Sequence, residues 1–411
     1  MLKVGDTFIA DVATLAYGGD GIARYDGRVI FIPESAPGDR LCVRVTQVKK
    51  RYARAVCIEP LELSALRISS CCRVTDPDNG TPTRVPGCCY DHLDYPAEVA
   101  AKQQQLEGLL RKLPGADALR YEAPFHALQP LHYRNKITLH AERHPDGMRV
   151  GYRREASHHV LPLPACPLAC EAINALLGEL AAQDGFRDLR DGDAVVLRHT
   201  EHDGACWWRV GHIAPDVSPL TERSPVGPLQ VARDAFYQVN PPVADALART
   251  MQTWFQSDRA APEIVDLYCG VGVFGFALMQ VGGTRLTGVE SGRTAVRDAQ
   301  HNARVLGLQA EFRCVALGHE TVDLDTLIRT PSQTTVLIDP PRSGMAPGLA
   351  DALAACAPRR IFYVACDPAT LARDLAVLLH GGYRIARAQL FDMFPRTAHF
   401  ETMVELIRST P

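Results

Sequence analysis

The alternation of apolar and polar positions divides the chain into three stretches. Over residues 1–60 ("VGDTFIADVATLAYGGDGIARYDGRVIFIPESAPGDRLCVRVTQV" within it), short β-branched and aromatic runs are broken by Gly18-Gly19-Asp20-Gly21, Asp26-Gly27 and Pro37-Gly38-Asp39. That spacing predicts a small OB-like β-barrel. Residues 61–95 read as loop and carry the doublets Cys71-Cys72 and Cys88-Cys89. Helical spacing then predicts a helix from Pro96 to Leu113, stopped by Pro114-Gly115. From about 120 to 230, strands alternate with turns around one helix near 168–183, so 61–232 reads as a central α+β domain. From 233 to 411 the apolar strands "EIVDLYC", "RLTGVE", "TVLID" and "RIFYVAC" alternate with helical segments of similar length. This is the pattern of a doubly wound, mainly parallel α/β sheet. No internal repeat or low-complexity tract interrupts it.

Size and charge narrow the picture. A chain of 411 residues with 46% hydrophobic and 22% charged positions builds sizeable cores in two or three domains. A net charge of -3 argues against a protein that coats nucleic acid indiscriminately. Locally the balance differs. Arg40, Arg44, Lys49, Lys50, Arg51 and Arg54 follow one another without an intervening acid. They form either a solvated edge strand or a grip on a phosphate backbone. The stretch "HYRNKITLHAERHPDGMRVGYRREASHHV" is also basic and carries Tyr133 and Tyr152. It fits either an RNA-binding sheet, with bases stacked on aromatic and guanidinium planes, or an ordinary sheet with a polar outer face. No export signal or membrane span is evident in the sequence, so the thirteen cysteines are expected to be reduced and the protein cytoplasmic.

Candidate chemistry gathers in the last stretch. The first strand runs into Asp266-Leu-Tyr268-Cys-Gly270-Val-Gly272-Val-Phe-Gly275 and the next ends in Glu290. A glycine turn and an acid for ribose hydroxyls predict a nucleoside cofactor, and G-x-G-x-x-G keeps a dinucleotide dehydrogenase in play. Asp339-Pro340-Pro341-Arg342 closes "TVLID", and Cys366-Asp367-Pro368 closes "RIFYVAC". Ligands of open α/β sheets sit at the carboxyl ends of strands, so these groups are expected in one crevice. A lone cysteine among apolar residues is usually core. At a strand end, before Asp-Pro, it reads as a nucleophile, for which hydride transfer has no use.

"DLYCGVGVFG", "LIDPPRSG", "FYVACDPATLARDL" and "DMFPRTAHFETMVEL" resemble the successive signatures of the RNA 5-methyluridine methyltransferase family, and "AFYQVNP" resembles its entrance to the catalytic domain. The barrel resembles the TRAM domain of the ribosomal-RNA members. The resemblance implies a class I, Rossmann-like methyltransferase domain that uses S-adenosylmethionine to methylate carbon 5 of a uridine, 23S rRNA being the expected substrate and tRNA the alternative. It implies Cys366 as nucleophile, Glu401 as the base that removes the carbon 5 proton, and Asp339 on the uracil edge. Gln238, Tyr268, Gly270, Gly272, Glu290 and Asp339 are implied on the cofactor. The likeness is not complete: Val273 and Ala316 stand where polar cofactor contacts are usual, Arg396 replaces a His before the base, and Asp367 an Asn beside the nucleophile. Ribosomal members often carry a [4Fe-4S] cluster. Cys72 (or Cys71), Cys88 and Cys166 resemble three of its ligands, the fourth position is Val85, and Cys89 is the candidate substitute; a zinc site or free thiols are the alternatives. A monomer without an obligate protein partner is expected, and a non-catalytic RNA-binding protein on the same scaffold is the competing function class.

Overall fold

The computed structural model describes residues 2–116, 119–145, 147–154, 157–214, 217–258, 260–318 and 323–408. Its first unit is a six-stranded sheet in the order Thr7–Asp11, Arg40–Val48, Tyr52–Glu62, Arg28–Ile32, Gly21–Tyr25, Thr14–Leu15. Period-2 alternation curls it round a core of Phe8, Ile30, Ile32, Leu41, Val43 and Val45. The same alternation turns Arg40 and Arg44 outward. Arg54 pairs with Asp20 at 3.0 Å, and Lys49, Lys50 and Arg51 are exposed at the tip of the long hairpin.

The helix that follows is Tyr95–Leu110, with Pro96 in its first turn. It is shorter than its sequence pattern because the N–H groups of Lys112 and Leu113 bond three residues back, to Leu109 and Leu110, tightening the end into turns. Val99, Leu106 and Leu110 pack into the core of the C-terminal sheet, and strand Arg120–Tyr121 joins that sheet's edge. This part of the segment read as central is therefore built onto the C-terminal domain. A buried ionic knot fixes it there. Lys102 Nζ lies 2.7 Å from both Glu98 and Asp392, and Arg396 donates to Glu98 at 3.3 Å and to the Leu93 carbonyl at 2.7 Å.

The central unit is a five-stranded antiparallel sheet, Val160–Pro162, Gly147–Arg153, Lys136–His144, Ala194–Thr200 and Gly204–Arg209, with helix Glu171–Ala182 against it. Tyr133 and Tyr152 do not form an outward stacking face here. Tyr133 is buried, Tyr152 half-buried, and both pack on the core beneath, because an outer position would leave that core short of apolar surface. The hairpin Leu220–Ser224 and Gly227–Val231 leads into the last domain. There Asn302 and Asp298 accept from the backbone N–H groups of Gln230 (2.8 Å) and Ala232 (2.5 Å).

The C-terminal sheet has the order Ala310–Cys314, Arg285–Glu290, Glu263–Leu267, Thr334–Ile338, Arg360–Ala365, Glu401–Arg408, Tyr383–Phe391, Arg120–Tyr121. Its first five strands are parallel, Glu401–Arg408 runs antiparallel to them, and Tyr383–Phe391, antiparallel to that strand, returns to the common direction. Both faces are covered. Val336, Ile338 and Tyr363 turn into one core, Leu337, Phe362 and Val364 into the other, which explains the unbroken apolar runs. No helix among the described residues is long and apolar enough to cross a membrane.

Candidate active site

Strand register brings the predicted groups to one edge. Leu267 pairs with Val289 and Ile338, so Tyr268, Glu290 and Asp339 leave the sheet side by side. Ala365 pairs with Thr402, so Cys366 and Glu401, one residue further on each strand, adjoin at the same end. Asp367 then caps helix Pro368–His380, accepting from the N–H groups of Ala369 and Thr370 at 2.9 Å each. The Asp-Pro pair is what stops the strand and opens the helix, leaving Cys366 at the junction.

The glycine loop is built by local constraint. Tyr268 (φ 64°), Gly270 (φ 53°) and Gly272 (φ 96°) are all left-handed within five residues. At Gly272 a Cβ would also collide with the Phe276 ring, so no other residue fits. Buried Asp266 accepts from Gly275 N–H at 3.1 Å, and Glu290 accepts from Gly270 N–H at 3.1 Å and Gly292 N–H at 2.8 Å. Tyr237 packs with Val271 of this loop and Ala295, and the next residue, Gln238, is itself buried. The Gln238 side-chain oxygen is buried without a hydrogen-bond partner. The turned backbone and the strand-end carboxylate fit a nucleoside cofactor.

The loop after Asp339 is clamped from two sides. Ala346 N–H donates to the Tyr268 hydroxyl at 3.0 Å. Asp374, from the "DPATLARDL" stretch, accepts from Met345 N–H at 2.8 Å and from the Tyr363 hydroxyl at 2.6 Å. Gly344 (φ 79°) lies so close to helix Pro368–His380 that a Cβ would collide with Arg373.

Three ionisable groups converge. Cys366 is half-buried, and burial with the nearby Glu401 and Asp339 carboxyls pushes its thiol up to about 12 against a pull from Arg342. Burial pushes Asp339 up to about 7. Glu401 is 3% exposed, its Oε2 has no partner, and burial together with Asp339 holds its carboxyl well above the usual range. The crevice therefore holds a protonated thiol beside two carboxyls that resist ionisation.

The cysteines near the barrel divide. Cys72, Cys88 and Cys166 share one buried cluster with Val85, and the Cys166 sulfur lies 3.5 Å from the Tyr152 hydroxyl. Cys89 does not join them; it packs beside Tyr90 and Leu93 in a separate cluster and against Gly19 of the barrel. Val85 stands in the cluster in place of the missing thiol, and among the described residues no group of three or more His, Cys, Asp or Glu side chains is arranged to hold a metal ion. Cys71 and Cys170 pack against the same cluster, but the expected ligand set of Cys72, Cys88, Cys89 and Cys166 is broken by the separate placement of Cys89. Arg396, in place of a His, is not at the crevice either: it is buried in the ionic knot against Glu98. Sequence reasoning assigned no role to Asp266, Asp298, Asn302 or Asp374. All four are buried acids or amides within helical or strand patterns, a signal that marks a clamp only once its backbone partners are known.

The family profile described as tRNA (Uracil-5-)-methyltransferase matches residues 228–409, and the TRAM domain profile matches residues 2–58. The chain is 31% identical to the 23S rRNA (uracil(1939)-C(5))-methyltransferase RlmD of Chromohalobacter salexigens, over 97% of this chain and 89% of that one. It is 33% identical to an RNA methyltransferase of Streptomyces coelicolor, over 98% and 93%. The crystal structure of Pyrococcus abyssi tRNA (uracil-54, C5)-methyltransferase in complex with S-adenosyl-L-homocysteine superposes with a TM-score of 0.72 at 24% identity, covering 97% of this chain and all of that one, which establishes the shared fold.

Proposed function

Since the chain belongs to the RNA uracil-C5 methyltransferase family, we propose that it methylates carbon 5 of a uridine in 23S rRNA, with S-adenosylmethionine as donor and Cys366 as a transient covalent nucleophile. The observation that carries this reading is the meeting of Cys366, Asp339 and Glu401 at one strand-end crevice beside the glycine loop. The ribosomal substrate is favoured by the TRAM match and by the full-length relative that acts on 23S rRNA. A tRNA substrate is the second reading, favoured by the description of the profile that covers the catalytic domain.

The target base must leave its stack to reach a thiol at the foot of the crevice. Carbon 5 of uracil is a weak nucleophile. Cys366 Sγ loses its proton to solvent and bonds to carbon 6, and the ring electron pair moves onto carbon 5 and the carbonyl beside it. Asp339, opening on the crevice, hydrogen-bonds the uracil edge and holds the ring in register. S-adenosylmethionine, when bound, supplies an electrophilic methyl group. Gln238, the glycine loop and Glu290 orient its nucleoside portion. Glu401, which the crevice holds protonated, first gives its proton to solvent; its carboxylate then accepts the proton from carbon 5, the double bond re-forms, and Sγ leaves as thiolate and regains a proton from solvent. One proton is released per methyl group transferred. Because the thiol starts protonated, activation accompanies substrate binding rather than preceding it.

RNA carrying 5-fluorouridine tests the assignment, since fluorine at carbon 5 cannot be removed as a proton. With the methyl donor, wild-type protein should give a denaturation-resistant RNA adduct, and Cys366→Ala should give none. An adduct undiminished in that variant would overturn the reading.

A further inference from the structure

A cleft of about 320 Å³ opens where all three domains meet, walled by Gly18 of the barrel, Cys89, Arg134 and Tyr152 of the central domain, and Arg342 and His399 of the C-terminal domain. It adjoins the crevice. Arg342 acts on Cys366 and Glu401, and Tyr17, next to Gly18, lies within electrostatic reach of Cys366, Asp367 and Arg342. Its volume suits one small ligand.

The wall carries unspent charge. Arg134 is part-buried, and it donates from Nε to the Tyr133 hydroxyl at 3.3 Å, with the guanidinium 5.7 Å from that ring. Among the described residues no carboxylate lies within ion-pair distance of Arg134 or Arg342. By contrast, Arg84 and Arg396, nearby in the same domain junction, are paired with Glu34 and Glu98. Arg134, part-buried, and Arg342, exposed, therefore face the cleft as cations to which an anion can bind. The acid nearest this wall, Asp367, is already engaged by Ala369 and Thr370.

The cleft also has a polar aromatic rim. Tyr17 Oη lies 3.2 Å from His399 Nδ1, and the Tyr17 ring meets Phe400 edge-on at 6.2 Å. Burial, with Arg342, Lys102 and Arg134 around it, pulls His399 down to about 4, while burial and Asp367 push the Tyr17 phenol up to about 12. Both groups are neutral at working pH, so they offer a stacking surface and hydrogen bonds rather than charge.

We propose that this cleft holds the nucleotide adjoining the target uridine, Arg134 and Arg342 binding its phosphodiester while Tyr17 and His399 meet its base. The proposal rests on the RNA-methylating reading. It gives the barrel a second task, since its Tyr17-Gly18 loop completes a subsite beside the nucleophile instead of only adding affinity at a distance.

The test is a double-mutant cycle between protein and RNA. Dissociation constants are measured for an RNA hairpin with the target uridine, for the same hairpin made abasic at the neighbour on either side, and for wild type, Tyr17→Ala and Arg134→Met. Tyr17→Ala should weaken binding of intact RNA by about 10-fold, within the range of one base stack. An abasic site at one neighbour should weaken wild type equally and leave Tyr17→Ala unaffected. A methylphosphonate at that linkage should remove the effect of Arg134→Met, and Arg134→Lys should recover most of the loss. If the losses simply add at both neighbours, the cleft is not the subsite. Should Arg134→Met fail to fold, the exposed Tyr17 still carries the cycle. Adduct formation on 5-fluorouridine RNA is scored in parallel. No wild-type adduct alongside a coupled cycle would overturn the chemistry and leave the subsite standing; adduct without coupling would do the reverse.

Discussion

Cys366 and the Cys72–Cys88–Cys166 group are both thiols in apolar surroundings, and both Cys366 and Cys72 are pushed up, Cys366 by burial and Cys72, against a pull from Cys71, by the Cys88 thiol and burial. What differs is the company and the access. Cys366 sits half-exposed at a strand end, with two carboxyls and an arginine acting on it. Cys72 and Cys166 have no exposure and share their cluster with other thiols, Val85 and Tyr152. Thiol acidity does not distinguish the proposed nucleophile from a packed thiol here. Convergent acid–base groups at an open crevice do, because they supply the proton traffic that a covalent cycle requires.

The sharpest way to break this contrast is to disarm the base. Glu401→Gln should slow turnover by about 10³-fold, the scale of one general base. Unmodified RNA should accumulate in a covalent complex, since methylation precedes the lost step. Gel mobility under denaturing conditions reads this, and a slow variant with no trapped RNA would remove Glu401 from the role. Next in size is the knot that seats helix Tyr95–Leu110 on the catalytic domain. Lys102→Met leaves Asp392 buried without its cation and Glu98 with Arg396 alone, and should cost about 3–5 kcal/mol in denaturant unfolding. Then comes the cysteine core. Cys72→Ala should lower stability by about 1–2 kcal/mol and leave turnover per folded molecule within about twofold. A large loss of turnover at full stability would give that cluster a function and erase the contrast.

The sequence made the crevice unusually legible. Apolar runs placed the strands, glycines and Asp-Pro junctions placed their ends, and open-sheet geometry put Tyr268, Glu290, Asp339 and Cys366 together without any knowledge of strand order. Glu401 was less accessible: a glutamate opening a strand looks solvent-facing until the antiparallel register sets it beside Cys366. What stayed hidden was everything that depends on non-local contact. The barrel's Tyr17 meets His399 across 382 positions, and Lys102 meets Asp392 across 290. Period and propensity carry no signal for such pairs. The inward turn of Tyr133 and Tyr152 was hidden for a similar reason, since alternation tells which residues share a face but not which face is covered.

The smallest effect concerns stability and pH, and it sets the crevice against the core in a different currency. Asp339 is held protonated up to about 7, against 3.8 for an ordinary aspartate. Between these values the unfolded chain ionises at this position while the native protein does not, so native stability falls as pH rises through the window and levels off above about 7. Asparagine has no proton to lose. Asp339→Asn should therefore lose methyl transfer yet gain stability over wild type as pH goes from 4.5 to 7.5, by about 1 kcal/mol, or a few degrees in Tm. Thermal denaturation of both proteins at the two pH values decides it. A Tm difference that stays constant, or shrinks, would mean that Asp339 is ionised in the native crevice. The carboxyl would then press on Cys366 as a full negative charge, and the thiol would be harder still to activate. Cys72→Ala, by contrast, should show the same stability loss at both pH values, because neither state of that thiol ionises in this range. A pH-dependent gain at Asp339 beside a pH-independent loss at Cys72 is what a strained reactive crevice and an inert core should give.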